Sequence, residues 1–589
     1  MDKYKILINI LDQIIKSAPI EYSKKYPQKS ENLNVEQLNQ ARARAYIHLY
    51  LLVSFGILDF KEREHFISDG SYDGGIDAYY IDNITQTVFL IQSKFRNNDS
   101  NFENKEISLE EILKMDINEI LDGENQDEDG NEYNGKVKQL QREISNVENI
   151  GRYSYQVIIL ANLNNIGRKD LIKITGGYNT KIINHQNCYN ELVFPVITGT
   201  FYKASDLSIN IDLSNKNAGS KISYTVQTNK GESEITVLFI PTLELARIMY
   251  KYKNSILKFN PRSYLGHEGK NVNNSIRETI LDNKTNEFAL FNNGVTMLSD
   301  ETYINEKIGQ KNKAQLIVKN PQIINGGQTS FTLSKIYEEN ISGNLDDIFQ
   351  GKEVLLKVIT LLGKNNHQDK VELINSISNA TNQQTPVINA DRLANDQFQV
   401  DLQNIIFETF GYLYERKRGE FSDGIYNNYI TENKIIERNL LFKMYNCVNS
   451  SINKARQKKL IFSHNESTVE MQKDRKLEKS IFAFLVFRKI SRSKIPNLKF
   501  DHITYAKIKV MTELYLPDNI NNFEEIVDKN YDTFSFKWDK FIHEYKIKSG
   551  IEKGVYDSKT GYFKDKFKVN YVAWFGSANF ENEYIEYFT

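Results

Sequence analysis

The sequence predicts a multidomain α/β (α+β) protein, and three observations carry that expectation. Ile76–Phe95 reads as two strands about a polar turn, Val35–Phe55 as a long helix, and the chain beyond Tyr426 as mostly helical. At 589 residues the chain can hold roughly two to four domains with sizeable cores. Its hydrophobic content of 40% and charged content of 26% are ordinary for a globular protein.

Met1 to Glu31 reads as a leading helix and polar connector. Val35–Phe55 (VEQLNQARARAYIHLYLLVSF) is strongly helical, with Asn34 placed to cap it. The turn DGSYDGG (Asp69–Gly75) follows, and Asp69 and Asp73 are expected there as turn formers, because Asp and Gly dominate turns for backbone reasons. Ile76 to Asp82 alternates as a strand, Asn83 to Gln86 supplies a turn, and Thr87 to Phe95 is a β-branched and aromatic run without Gly or Pro. Glu103 to Glu132 is acidic and runs into a solvent loop. It fails as a calcium loop: Gly130 in the sixth position puts Lys136 in the twelfth, where a bidentate Glu belongs. Strands are expected at Tyr155–Leu160 and Leu192–Ile197, and a polar, turn-rich boundary at Asn210–Glu234. Thr236–Ile240 then reads as a strand entering a helix that opens with Pro241 and Thr242. The expected divisions are 1–31, 32–206, 235–425 and a mainly α-helical 426–589.

The hairpin also carries chemistry. Strand side chains alternate faces, so Gln92 and Lys94 point the same way and can meet Asp77 on the other arm. One carboxylate, one amide oxygen and one ammonium at a sheet edge suffice to hold a hard divalent cation against a phosphodiester. Asp77 would supply the charge, Gln92 its side-chain carbonyl and Ser93 a backbone carbonyl. Lys94 would orient or deprotonate water and offset transition-state charge. Glu36, in the first turn of the preceding helix, is the additional candidate acid. A first-turn Glu is also favoured simply by the helix dipole.

The residues Gly75, Ile76 and Asp77 with Gln92, Ser93 and Lys94 resemble the Mrr-like branch of the PD-(D/E)xK nuclease superfamily, which carries Gln where most members have Glu. That resemblance implies a restriction-endonuclease-like αβββαβ core, Mg²⁺ (or Mn²⁺) as cofactor, and DNA ahead of RNA as substrate. The Gln removes one negative charge from the metal site, which motivates an alternative: a catalytically inactive nucleic-acid-binding or phage-sensing protein.

The middle third carries amide-rich turns set against apolar strands: NPRSYLG (Asn260–Gly266), VNNSIRETI (Val272–Ile280), FNNGVTML (Phe291–Leu298), NPQIINGGQTS (Asn320–Ser330), NATNQQTPV (Asn379–Val387) and YERKRGE (Tyr414–Glu420). Asn and Gln present both donors and acceptors, and Gly326 and Gly327 permit close backbone approach. Taken in order, these segments resemble the AIPR (abortive-infection phage-resistance) family over about residues 240–420. The resemblance implies a central mixed α/β AIPR-like domain and a role in bacterial antiphage defence. Asn292, Asn293, Asn325, Gln328, Thr329, Asn382, Arg416 and Arg418 are the candidates for nucleic-acid or ligand contact. A nucleotide-binding toxin centred on this domain is the weaker alternative, since no GxxxxGK[ST] loop is present.

The remaining composition excludes more than it assigns. Cys188 and Cys447 lie far apart, so a disulfide framework or zinc site is not expected, and a reducing cytoplasm fits. The run Ile47–Leu58 is too short for a membrane span, and MDKYKILINILDQII lacks the features of a secretory signal. A net charge of −1 excludes a globally basic nucleic-acid binder but not a local basic stripe. Basic stretches at Arg416–Arg418 and at Lys454–Lys459 read first as solvated faces. The expected partners are nucleic acid and a phage-derived trigger. A homodimer is expected because one site per chain cuts one strand at a time.

Overall fold

The computed structural model describes residues 3–27, 34–83, 85–108, 111–112, 114–164, 166–201, 206–212, 222–228, 231–260, 270–282, 285–306, 313–362, 376–377, 394, 396–456, 468–492, 501–548, 555–557, 562–564 and 571–589. The chain forms two compact units. One comprises Asp2–Thr385 with Gly419–Glu432; the other comprises Pro386–Arg418 and Asn433–Thr589 together with Met1.

The larger unit begins with α1 (Lys3–Lys16), α2 (Val35–Phe55) and α3 (Phe60–His65). Asn34 caps α2 as expected, accepting the Glu36 N–H, and Gly56 closes it in the left-handed conformation. A four-stranded sheet follows in the order β1-β2-β3-β4, from β1 (Ala78–Asp82), β2 (Thr87–Ser93), β3 (Ser154–Leu160) and β4 (Asn179–Ile183). β1 runs antiparallel to β2, whereas β2, β3 and β4 are parallel. Parallel neighbours need crossovers. Here α4 (Asp99–Asn104), α5 (Ile117–Leu121) and α6 (Gly135–Ser145) lie between β2 and β3, and α7 (Arg168–Thr175) lies between β3 and β4. An isolated antiparallel bridge, Ile67 to Ala78, precedes the hairpin. The order of elements is therefore helix, bridge, hairpin, helices, parallel strand, with a further helix and strand appended. Buried Ile76, Val88, Leu90, Val157 and Ile159 pack against Val137 and Leu140 to make this core.

One expectation fails outright. Leu192–Ile197 is helical, part of a π-turn at Cys188–Val193 that runs into a helix at Phe194–Thr198. Its apolar run is buried almost all round, and a short buried apolar stretch cannot be told from a strand by periodicity alone.

The passage expected as a boundary holds strands β5 (Asp206–Asp212) and β6 (Ile222–Thr228), each paired into a sheet. β7 (Gly231–Pro241) leads into the helix Thr242–Tyr252, which starts as the Pro-Thr signal implied. With β8 (Val295–Ser299), β9 (Glu301–Asn305), β10 (Lys313–Lys319), β11 (Gln322–Asn325) and β12 (Glu353–Leu362), two sheets form. Their orders are β5-β10-β9, all antiparallel, and β11-β8-β12-β7-β6, in which only the β8–β12 pairing is parallel. The helices Thr242–Tyr252 and Gly327–Glu339 share their core through Leu245, Met249, Leu333 and Ile336.

The second unit is mainly helical, with helices at Arg438–Asn449, Lys476–Arg492, His502–Tyr515 and Phe523–Lys548. Its core is aromatic, built on Phe482, Phe534, Trp538 and Phe541. Cys188 and Cys447 are buried free thiols. Among the described residues, no helix is long and apolar enough to cross a membrane.

Candidate metal centre

The glycine-rich turn before β1 is folded by its own side chains. Asp73 accepts the N–H groups of Gly70 at 3.1 Å and of Gly75 at 3.0 Å. Gly75 sits at φ 72°, and a Cβ there would stand 2.8 Å from the Lys114 carbonyl oxygen, so only glycine fits. The backbone N–H groups of Ser68 and Asp69 both donate to the Asp77 carbonyl at 2.9 Å, which locks the two ends of the turn together.

The turn therefore returns three acids to one place. The carboxylates of Asp69, Asp73 and Asp77 lie with oxygens within 4.8 Å of one another. This corrects the reading of Asp69 and Asp73 as turn formers only: Asp73 shapes the turn and joins the cluster as well. Glu36 is corrected in the opposite sense. It lies exposed in the first turn of α2 and is not part of the acidic group found among the described residues.

The hairpin delivers the other expected residues. The Asp77 N–H donates to Ile91 at 2.8 Å, extending the β1–β2 register so that Asp77 stands opposite Gln92. Asp77 Oδ2 accepts the Ser93 backbone N–H at 2.6 Å. Gln92 is 1% exposed, and its Nε2 donates to the Gly75 carbonyl at 2.9 Å. Lys94 follows β2, half-buried, with its N–H on the Leu160 carbonyl of β3 at 2.9 Å.

The electrostatics are those of crowded acids. Burial, then the neighbouring Asp73 charge, pushes the Asp77 carboxyl up to about 8, with Asp69 adding and the Ser93 N–H and Lys94 opposing. Asp73 is also raised, by burial first, against the N–H groups of Gly70 and Gly75. Asp73 and Asp77 thus resist simultaneous ionisation unless a cation joins them.

Helix α2 does contribute to the centre, through Arg44 instead of Glu36. Arg44 Nη1 donates to Asp69 Oδ2 at 2.7 Å and to the Asp69 carbonyl at 2.8 Å. Its Nη2 reaches Glu64 at 3.0 Å. Buried Glu64 also accepts from Tyr26 Oη at 2.5 Å and from Lys25 at 3.0 Å. His48 completes this network: Arg63 Nε donates to His48 Nδ1 at 3.1 Å, so the protonated Nε2 faces Glu64 at 3.2 Å. A readable signal for Arg44 existed in the sequence, an arginine set among apolar residues of a helix.

The amide-rich segments converge separately. FNNG precedes β8 and INGG follows β11, which are antiparallel neighbours. Gly326, at φ 83°, approaches so closely that a Cβ would lie 2.9 Å from the Gly294 carbonyl. Asn292 Nδ2 donates to Thr329 Oγ1 at 3.0 Å and its Oδ1 accepts the Gly294 N–H at 2.9 Å. Asn325 Oδ1 accepts the Gly326 N–H at 2.8 Å. Gln328 Nε2 donates to Asn273 at 3.0 Å. Each of these amides braces a turn or a neighbouring segment, and only Asn293 of the set is exposed. Arg416 and Arg418 belong to the other compact unit, where Arg416 donates to the Ala394 carbonyl at 3.3 Å and Arg418 is exposed. Asn382 lies outside the described residues.

No curated protein and no solved structure matches the chain. The family model described as AIPR protein matches residues 257–574, which is more than half of the sequence and includes both the FNNG and INGG segments. The chain belongs to the AIPR family.

Proposed function

We propose that this protein is a metal-dependent endonuclease acting in abortive infection, with its active centre at the Asp69–Asp73–Asp77 turn and the hairpin. Membership of the AIPR family supports a role in phage defence. The observation that carries the nuclease reading is the gathering of three carboxylates within 4.8 Å, two of them raised in pKa, beside the Lys94 charge. An all-oxygen donor set at this spacing suits Mg²⁺ or Mn²⁺. Asp77, Asp73 and Asp69 would hold it, with the Gln92 amide oxygen as a neutral donor.

A bound ion would supply a water of lowered pKa and neutralise charge on the phosphate. The protein's own residues do the rest. Arg44 holds Asp69 in place through two hydrogen bonds. The Ser93 N–H fixes the Asp77 rotamer. Lys94, beside Asp73 and Asp77, would orient the attacking water and, as an ammonium, offset charge building on the phosphodiester. DNA is favoured over RNA by the Mrr-like hairpin, and a homodimer would cut both strands.

Plasmid DNA and a structured RNA incubated with Mg²⁺, Mn²⁺ or EDTA test this reading. Metal-dependent cutting lost in Asp77→Ala and in Lys94→Ala is the expected result. One observation favours a second reading: Gln92 is committed through Nε2 to holding Gly75, a structural task. A sensor with an inactive nuclease fold would bind nucleic acid equally well in EDTA and in Asp77→Ala, without cutting.

A further inference from the structure

A second site lies in the same compact unit, away from the carboxylates. The end of α1, α3, the helix Thr242–Tyr252 and the segment Asp423–Tyr429 line an open cavity of about 570 Å³. Arg63 forms part of its wall and is 4% exposed. Arg63 Nη1 donates to the Ile57 and Leu58 carbonyls at 2.7 Å, and Nε to His48 at 3.1 Å. Its Nη2 has no hydrogen-bond partner among the described residues, and the guanidinium makes no ion pair with any described carboxylate. A buried charge in a protein is ordinarily paired, and a guanidinium edge is shaped for a two-oxygen anion.

The wall is cationic on balance, with Lys16, Arg63 and Lys253 against Glu338 and Asp423. Lys253 is a half-buried cation held at φ 45°, a left-handed conformation that costs a non-glycine residue free energy unless its surroundings enforce it. Of the two wall acids, Glu338 pairs with Lys335 at 2.7 Å and also feels the Lys253 charge, and Asp423 accepts from Asn254 at 3.2 Å. The apolar share of the lining combines aromatic Tyr250, Tyr426 and Phe201 with aliphatic Ile14, Leu52, Leu58 and Val196. Lys253 Nζ lies 5.6 Å from the Tyr250 ring centre, so cation and ring platform adjoin. Exposed Asn428 adds an amide with both donor and acceptor.

We infer that this cavity is a binding site for a free mononucleotide, with the phosphate on Arg63 and Lys253 and the base against the tyrosines. The volume falls in the range of small-ligand pockets. None of its lining residues belongs to the carboxylate cluster, although Arg63 also touches the His48–Glu64–Arg44 network that holds Asp69.

Calorimetric titration of the full chain in EDTA tests this, and EDTA removes any binding through a metal at the carboxylates. The probes are AMP, GMP, CMP, UMP, adenosine and inorganic phosphate. At least one monophosphate is expected to bind at one per chain, with the nucleoside and inorganic phosphate each at least tenfold weaker. Arg63→Met is expected to weaken binding at least tenfold. Lys253→Glu, at a half-buried position without an ion pair, should do the same while circular dichroism stays unchanged, so lost binding cannot be ascribed to unfolding. The inference is overturned if no monophosphate binds, if Lys253→Glu binds as the wild type does, or if inorganic phosphate binds as tightly as any nucleotide.

Discussion

Metal binding at the carboxylate centre should release a proton, because Asp77 must ionise to serve as a ligand. Its carboxyl is pushed up to about 8, by burial first and by Asp73 second. At pH 7, one unit below that value, about nine in ten Asp77 side chains carry a proton, so each bound ion displaces about 0.9 proton. At pH 9 the figure falls to about 0.1. Affinity for Mn²⁺ should accordingly rise about tenfold per pH unit up to 8 and then level off. The raised pKa of Asp73 adds to the release and has the same sign. Calorimetric titration with Mn²⁺ in buffers of differing ionisation enthalpy counts the protons directly. A release below about 0.2 at pH 7, or an affinity flat between pH 6.5 and 8, would refute the crowded-carboxylate argument. The same shift sets the sign of a stability effect in the metal-free protein. The protonated form is favoured on folding, so stability present below pH 4 declines as pH rises through 8, by up to about 1.4 kcal/mol per unit.

Other outcomes follow from neighbouring groups. Lys94→Ala should lower single-turnover cleavage by about 10²- to 10³-fold while calorimetry shows Mn²⁺ affinity largely retained, the split expected of a cation that acts on transition-state charge. Gly75→Ala should destabilise by roughly 1–3 kcal/mol, from the positive φ and the approach to the Lys114 carbonyl, read by urea denaturation. Glu64→Ala should cost about 3–5 kcal/mol by leaving Arg44 without its buried partner, and should also weaken metal binding through Asp69. His48 is held down to about 4, mainly by burial, so its stability contribution is present above pH 6.5 and lost as pH falls toward 4. A His48→Gln variant should denature over a narrower acid range; unchanged acid sensitivity in circular dichroism would count against this.

Much of the fold was legible because it is local. Helix Val35–Phe55 with its Asn34 cap, the hairpin with its turn after Asp82, the strand ending at Leu160 and the helix opening at Thr242 all follow from periodicity and capping within a few residues. Leu192–Ile197 was misread because a buried apolar run looks alike as strand or helix. The strands Asp206–Asp212 and Ile222–Thr228 were hidden by polar composition, since their identity rests on partners that include a strand about a hundred residues away. For the amide segments, residue type suggested contact with a ligand, whereas the structure uses Asn292, Asn325 and Gln328 to hold turns and a helix start.

The sequence by itself determined the hairpin, the pairing that sets Asp77 opposite Gln92, and the family, because each depends on residue order over short spans. Only the tertiary structure decided that Asp69 and Asp73 close on Asp77, that Arg44 and not Glu36 is what α2 brings to them, and that Arg63 is buried without an ion pair beside a cavity. The reason is physical. Charge crowding and burial are properties of distances between elements, and local spacing along the chain does not specify those distances.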